Sequence, residues 1–145
     1  MKKMKILAID YGDARTGLAI SDSLEILASP FGVLHEKNSD RLIGKIKAVI
    51  EENGVEEAVV GNPVNMNNTE GERSRKCVFF AEKLRQSVEI PVVLWDERST
   101  TILAHNLLSQ ADVKSKKRRE IIDAAAAAVI LENYLVFRKN NSEKL

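Results

Sequence analysis

Cysteine is nearly absent from this chain. One residue in 145, Cys77, excludes an intramolecular disulfide, a cysteine-rich zinc site and a CxxC redox motif. Histidine is almost as scarce: His35 and His105 lie far apart, with no metal-ligand spacing around either. No apolar run approaches the roughly 18 residues a membrane-spanning helix needs. The basic start, Met1 to Lys5, is followed only by Ile6 to Ile9 before Asp10, too short for the apolar region of a secretory signal. The expectation is a cytoplasmic protein. An excess of charge of one sign is also missing, since 22 Lys and Arg face 21 Asp and Glu for a net +1. This excludes a uniformly basic coat but not a local basic patch.

What is present is enough apolar material, 44% of the residues, to bury a core without staples. The length predicts one domain over residues 1–138 with a polar tail at 139–145. Lys5 to Ile9 reads as a buried strand closed by Asp10-Tyr11-Gly12-Asp13, and Thr16 to Ser21 as a second strand one hairpin away. Leu27 to Leu34 reads as a third strand, placed at an edge by Pro30. The period then changes. Leu42, Ile43, Ile46, Val49 and Ile50 recur at helical spacing behind Ser39 or Asp40 as N-cap, and Gly54 ends that helix. Ala58 to Gly61 predicts a fourth strand, followed by a polar loop, Asn62 to Asn68. Thr69 and Glu72 form a capping-box pattern before a helix with Cys77, Phe80, Ala81, Leu84 and Val88 on its core face. Pro91 to Trp95 predicts a fifth strand, Thr101 to Leu108 a short helix, and Ile121 to Phe137 a long alanine-rich one. The resulting class is α/β: a mixed five-stranded sheet, three leading strands antiparallel and the later ones parallel, with helices on both faces.

Three carboxylates occupy informative places: Asp10 at the end of the first strand, Glu97 after the fifth, and Asp123 at the start of the last helix. Side chains at the carboxyl ends of parallel strands converge on one crevice. Carboxylates that converge repel one another unless a cation neutralises them, and oxygen-only ligands favour Mg²⁺ or Mn²⁺ over zinc. One or two such ions suit hydrolysis of a phosphodiester. Each residue also has a plainer reading: Asp10 as a turn residue, Glu97 with Asp96 as an exposed turn and cap, Asp123 as the partner of Arg119. The combination of the three favours the metal site. Five cations crowd Lys114 to Arg119, four to nine residues before Asp123. Lys116, Lys117 and Arg118 there, with Arg15 in the first hairpin, are candidate phosphate contacts. Asn62, Asn65 and Asn67 are candidates for a groove loop, the alternative being a turn built from residues tolerant of left-handed backbone. Charge is segregated along the chain: residues 1–113 carry 14 basic and 17 acidic side chains, residues 114–145 carry 8 and 4.

Four motifs in order resemble the YqgF family, also called RuvX, of the ribonuclease H-like superfamily. Asp10-Tyr11-Gly12-Asp13-Ala14-Arg15-Thr16-Gly17-Leu18-Ala19 is similar to its opening D-x-G-x-x-R-x-G-x-A. Val59-Val60-Gly61-Asn62-Pro63, with Met66, Thr69, Glu70 and Gly71, resembles its central loop. Asp96-Glu97-Arg98 followed by Thr100-Thr101 resembles its D-E-R motif, and Lys116-Lys117-Arg118 before Asp123, Ala126 and Ala127 its last helix. The resemblance implies an RNase H-like, RuvC-like fold and a metal-dependent nuclease with Asp10, Glu97 and Asp123 as catalytic carboxylates. It implies a role at the 5′ end of the 16S rRNA precursor in ribosome biogenesis, or alternatively cleavage of Holliday junctions. Glu120, three residues before Asp123, is a candidate fourth acid. Expected partners are rRNA precursor or branched DNA and ribosomal particles, the protein acting as monomer or homodimer without a membrane. Two rivals stand beside this reading. The Asp-x-Gly opening also begins actin-like ATPases, which need two such domains. The fold could also serve as a non-catalytic RNA-binding module.

Overall fold

A computed structural model of the chain describes residues 3–63, 71–97 and 116–143, without the side chains of residues 97, 116–118, 142 and 143. Five strands form one sheet: β1 (Ile6–Asp10), β2 (Arg15–Ser21), β3 (Ala28–His35), β4 (Glu57–Pro63) and β5 (Val92–Glu97). Among the described residues three helices accompany them: α1 (Ser39–Asn53), α2 (Glu72–Ser87) and α3 (Lys116–Glu143). The strand order is β3-β2-β1-β4-β5. β1 pairs antiparallel with β2, and β2 with β3; β1 and β4, and β4 and β5, are parallel. The mixed sheet read from the sequence is therefore present, with β3 at an edge. Pro30 sits there beside a bulge, opposite Ala19, where the loss of one ladder donor is tolerated.

Both faces of the sheet are covered, which is why β1 reads as an uninterrupted apolar run. Leu7 and Ile9 join Leu42, Ile46, Phe80 and Leu84 in a core under α1 and α2. Ile6 and Ala8 join Ala19, Val59, Ala127, Ile130, Leu131 and Tyr134 in a second core under α3. Along β1, odd positions thus face α1 and α2, and even positions face α3.

Several element bounds differ from expectation. The N-cap of α1 is Asn38, whose side chain accepts from the Arg41 N–H, rather than Ser39 or Asp40. Gly54 does end α1, at φ 63° in the left-handed region. β4 runs on through Asn62 and Pro63, which the sequence places in a loop. Helix α2 starts at Glu72 behind Gly71 as N-cap, a residue that offers no side chain for capping. Thr69, like the helix expected over Thr101 to Leu108, lies outside the described residues. Helix α3 takes in Lys116 to Arg119 at one end and continues to Glu143 at the other.

At the amino end of β1, a buried ionic cluster ties the β2–β3 loop to α3. Arg138 grips Glu25 with two bonds of 2.6 and 3.1 Å and reaches Glu57 at 3.5 Å. Tyr134 donates to Glu57 at 3.1 Å. Burial would lift the Glu25 carboxyl, but the Arg138 bonds and the Met4 N–H outweigh it and hold it below the usual range. Glu57 is pushed up by burial, and burial with the Glu57 charge pushes the Tyr134 phenol up to about 12. Arg138→Met is expected to cost about 3–5 kcal/mol at neutral pH, because it strands two buried carboxylates. The sign follows from linkage. In the wild type, the depressed Glu25 pKa adds stability at neutral pH that is lost on acidification. In the variant Glu25 loses the Arg138 bonds that hold its carboxyl down and Glu57 loses a nearby positive charge, so lowering the pH recovers part of the lost stability. Urea unfolding at about pH 7 and about pH 5 should show the gap between the two proteins narrowing at the lower pH.

Candidate active site

Asp10 ends β1 at an even position, on the face toward α3. Its antiparallel partner on β2 is Gly17. Helix α3 lies against that glycine so closely that an added Cβ would stand 2.0 Å from the backbone oxygen of Asp123. This contact brings Asp123 beside the end of β1. The alanine run after it explains how the helix gets so near: Ala124, Ala126, Ala127 and Ala128 are all buried and leave little side-chain bulk between α3 and the sheet.

Arg15 begins β2 on the same face and points its Nε at Asp123 Oδ2, 3.4 Å away. Asp123 therefore pairs across the helix–sheet interface, and Arg15 is an ion-pair partner of a candidate catalytic acid as well as a candidate phosphate contact. Opposite Arg15 on β3 stands His35. Its Nε2 meets Glu120 Oε1 at 2.6 Å, one turn of α3 before Asp123. The candidate fourth acid is thus engaged with the sheet edge.

Glu97 is the last residue of β5, paired with Pro63 of β4. Val93 and Trp95 pack with the core under α3, Trp95 against the rings of Tyr134 and Phe137. The strand period of two places position 97 on that same face, the one that carries Asp10. Asp96 takes the opposite parity and accepts from Asn62 Nδ2 at 3.3 Å.

Asn62 does not line a groove. It is buried in β4, 4% exposed, with its Oδ1 accepting from the buried Ser74 hydroxyl at 2.7 Å. A buried amide must satisfy both ends, and Ser74 and Asp96 do so from α2 and β5. Asn65 and Asn67 lie outside the described residues, and Lys116, Lys117 and Arg118 are described only as the opening of α3.

Among the described residues no group of three His, Cys, Asp or Glu side chains is close enough to hold a metal ion; the Glu97 carboxyl is not one of those side chains. The donor chemistry still fits a hard divalent cation. Asp10 and Asp123 offer oxygen alone, Gly17 puts no side chain between them, and β4 contributes only Gly61 after Val60, the partner of Ile9. A cavity of about 730 Å³ is lined by Leu24, Ile26, Leu27 and Val136 among others. It opens near Glu25, at the other end of the sheet from Asp10, and is no part of this site.

The model of the family described as RuvX, Holliday junction resolvase, matches residues 4–136. The chain belongs to the RuvX family. A relative from Geobacillus kaustophilus is 44% identical over 134 residues, covering 91% of this chain and 97% of that protein. One from Halothermothrix orenii is 42% identical over 135 residues, covering 93% and 96%. Both carry the description "Putative pre-16S rRNA nuclease". Among solved structures, Thermus thermophilus RuvC in complex with a Holliday junction substrate superposes with a TM-score of 0.59 at 16% identity, over 94% of this chain and 96% of that one. A second structure of Thermus thermophilus RuvC gives 0.51. The RuvX chain thus has the RuvC-like, RNase H-like fold that its motifs imply. Two contacts around its site carry no local signal in the sequence. The Ser74–Asn62–Asp96 chain and the His35–Glu120 pair join residues too far apart for any local pattern to link. Gly17 is visible in the opening motif, but its contact with α3 is not.

Proposed function

We propose that this chain is a divalent-metal-dependent endonuclease that hydrolyses phosphodiester bonds of structured nucleic acid. Its proposed substrate is the 16S rRNA precursor at the 5′ end, handled during ribosome biogenesis in the cytoplasm. The observation that carries this reading is the approach of Asp123 to the end of β1 across Gly17, in a chain that matches the relatives described above over more than nine-tenths of its length.

Asp10, Glu97 and Asp123 are the proposed catalytic residues and would hold one or two Mg²⁺ or Mn²⁺ ions. A divalent cation there supplies Lewis acidity at the scissile phosphate and eases deprotonation of the attacking water. The chain's own residues do the rest. Asp10 and Asp123 approach from a strand end and a helix, so their geometry is set by rigid elements. Arg15 offsets the Asp123 charge and, at 38% side-chain exposure, also faces incoming phosphate. Lys116, Lys117 and Arg118, two turns before Asp123, bind flanking phosphates without reading sequence. The family's description favours a second reading, a Holliday junction resolvase.

One experiment separates the readings. A small-subunit rRNA precursor and a four-way DNA junction are each offered with Mg²⁺ or Mn²⁺. Faster cleavage of the precursor is the expected result. Faster cleavage of the junction would make the chain a resolvase. Binding of structured RNA without any cleavage would make it a non-catalytic module.

A further inference from the structure

Arg73, in the first turn of α2, is exposed and donates from Nη2 to the backbone carbonyl of Tyr11 at 2.5 Å. Tyr11 directly follows Asp10. The guanidinium therefore stands beside the end of β1, on the side away from Arg15 and α3. Three features of this contact point outward. First, the acceptor is a neutral carbonyl, and among the described residues no carboxylate forms an ion pair with Arg73. The cation one turn on is spent differently: Lys76 lies 3.3 Å from Asp13 and 3.6 Å from Glu72. Second, a guanidinium has five N–H donors in a planar fork, and a single carbonyl uses one edge of it. Third, the anchor is firm. The Tyr11 ring stacks on Phe80 of the core with centroids 4.3 Å apart, so Arg73 is held in place before any ligand arrives. A carbonyl at the exposed end of a sheet can be satisfied by water and needs no arginine for its own sake.

We propose that Arg73 binds the phosphate adjoining the scissile one, on the α2 side of Asp10. This rests on the nuclease reading above. The nucleic-acid backbone then crosses the carboxyl edge of the sheet, from the basic opening of α3 over Asp10 to the first turn of α2. The site grips phosphates on both flanks of the cleavage point, and such contacts carry no sequence information.

The test uses the full chain with Arg73→Gln and Arg73→Lys, a labelled RNA hairpin with a single-stranded 5′ extension, and a labelled four-way DNA junction. Affinity is measured over a range of salt concentrations without divalent metal. A lost phosphate contact lowers the steepness of log K against log salt by ~0.7 for a single strand or ~0.9 for duplex DNA. Arg73→Gln is expected to show that loss, with raised KM and unchanged kcat at saturating substrate. Arg73→Lys, which keeps the charge, is expected to retain the wild-type slope. An unchanged slope in Arg73→Gln, whether or not Tm falls, would reduce Arg73 to a brace for the β1–β2 loop and overturn the inference while leaving the nuclease reading intact. Failure of the wild type to bind either probe would overturn both.

Discussion

Asp10→Asn is expected to remove cleavage by at least ~10²–10³-fold, the scale on which loss of one preorganised electrostatic group is felt, while folding and nucleic-acid binding persist. The substitution keeps the shape and removes a charge. β1 is held by backbone pairing to β2 on one side and β4 on the other, and neither ladder involves the Asp10 side chain. The fold should therefore persist in the variant. The basic side chains that hold the phosphates are untouched. Three measurements check this: cleavage of the preferred substrate with Mg²⁺ or Mn²⁺, thermal unfolding, and binding without metal. Full activity in Asp10→Asn would remove Asp10 from the site. Asp123→Asn should lose cleavage similarly and also weaken its pair with Arg15, a loss that thermal unfolding should report.

The sheet was legible because each strand carries its own burial signal. β1 is apolar at every position from Ile6 to Ile9 and is covered on both faces, so no register or partner had to be known. The start of α1 was harder. Asn38, Ser39 and Asp40 are all good caps, and only the geometry of the Arg41 N–H selects Asn38. Asn62 is hard to place from sequence for a related reason. A polar residue after an apolar strand looks like a loop until its partners are known, and those are 12 and 34 residues away. The two candidate acids stand out in the sequence as a strand end and as a carboxylate in a packed helix. What the chain order hid was the means of joining them. Gly17 reads as a motif glycine in a hairpin strand, and nothing local says that the backbone of Asp123 occupies the space where its side chain would be.

That contact makes Gly17→Ala the other substitution with a large expected effect. The added Cβ would lie 2.0 Å from the Asp123 oxygen and 2.6 Å from its carbonyl carbon. Both are helix backbone atoms, so no side-chain rotation relieves the clash and α3 must shift bodily. Overpacking of this kind costs about 1–3 kcal/mol. The shift carries Asp123 with it, and a displacement near 1 Å costs about 10²-fold in rate. Cleavage by the fraction that remains folded should accordingly fall about 10²-fold. Gly44→Ala supplies the contrast. Gly44 is exposed on α1, nothing lies within 4 Å of its added Cβ, and alanine in a helix is favoured over glycine by about 1 kcal/mol. That variant should be at least as stable as the wild type and as active. If Gly17→Ala unfolds at the same temperature as the wild type and cleaves at the same rate, α3 does not depend on the glycine to bring Asp123 to Asp10. A loss of stability with full activity per folded molecule would separate packing from catalysis and move the catalytic acid elsewhere on α3.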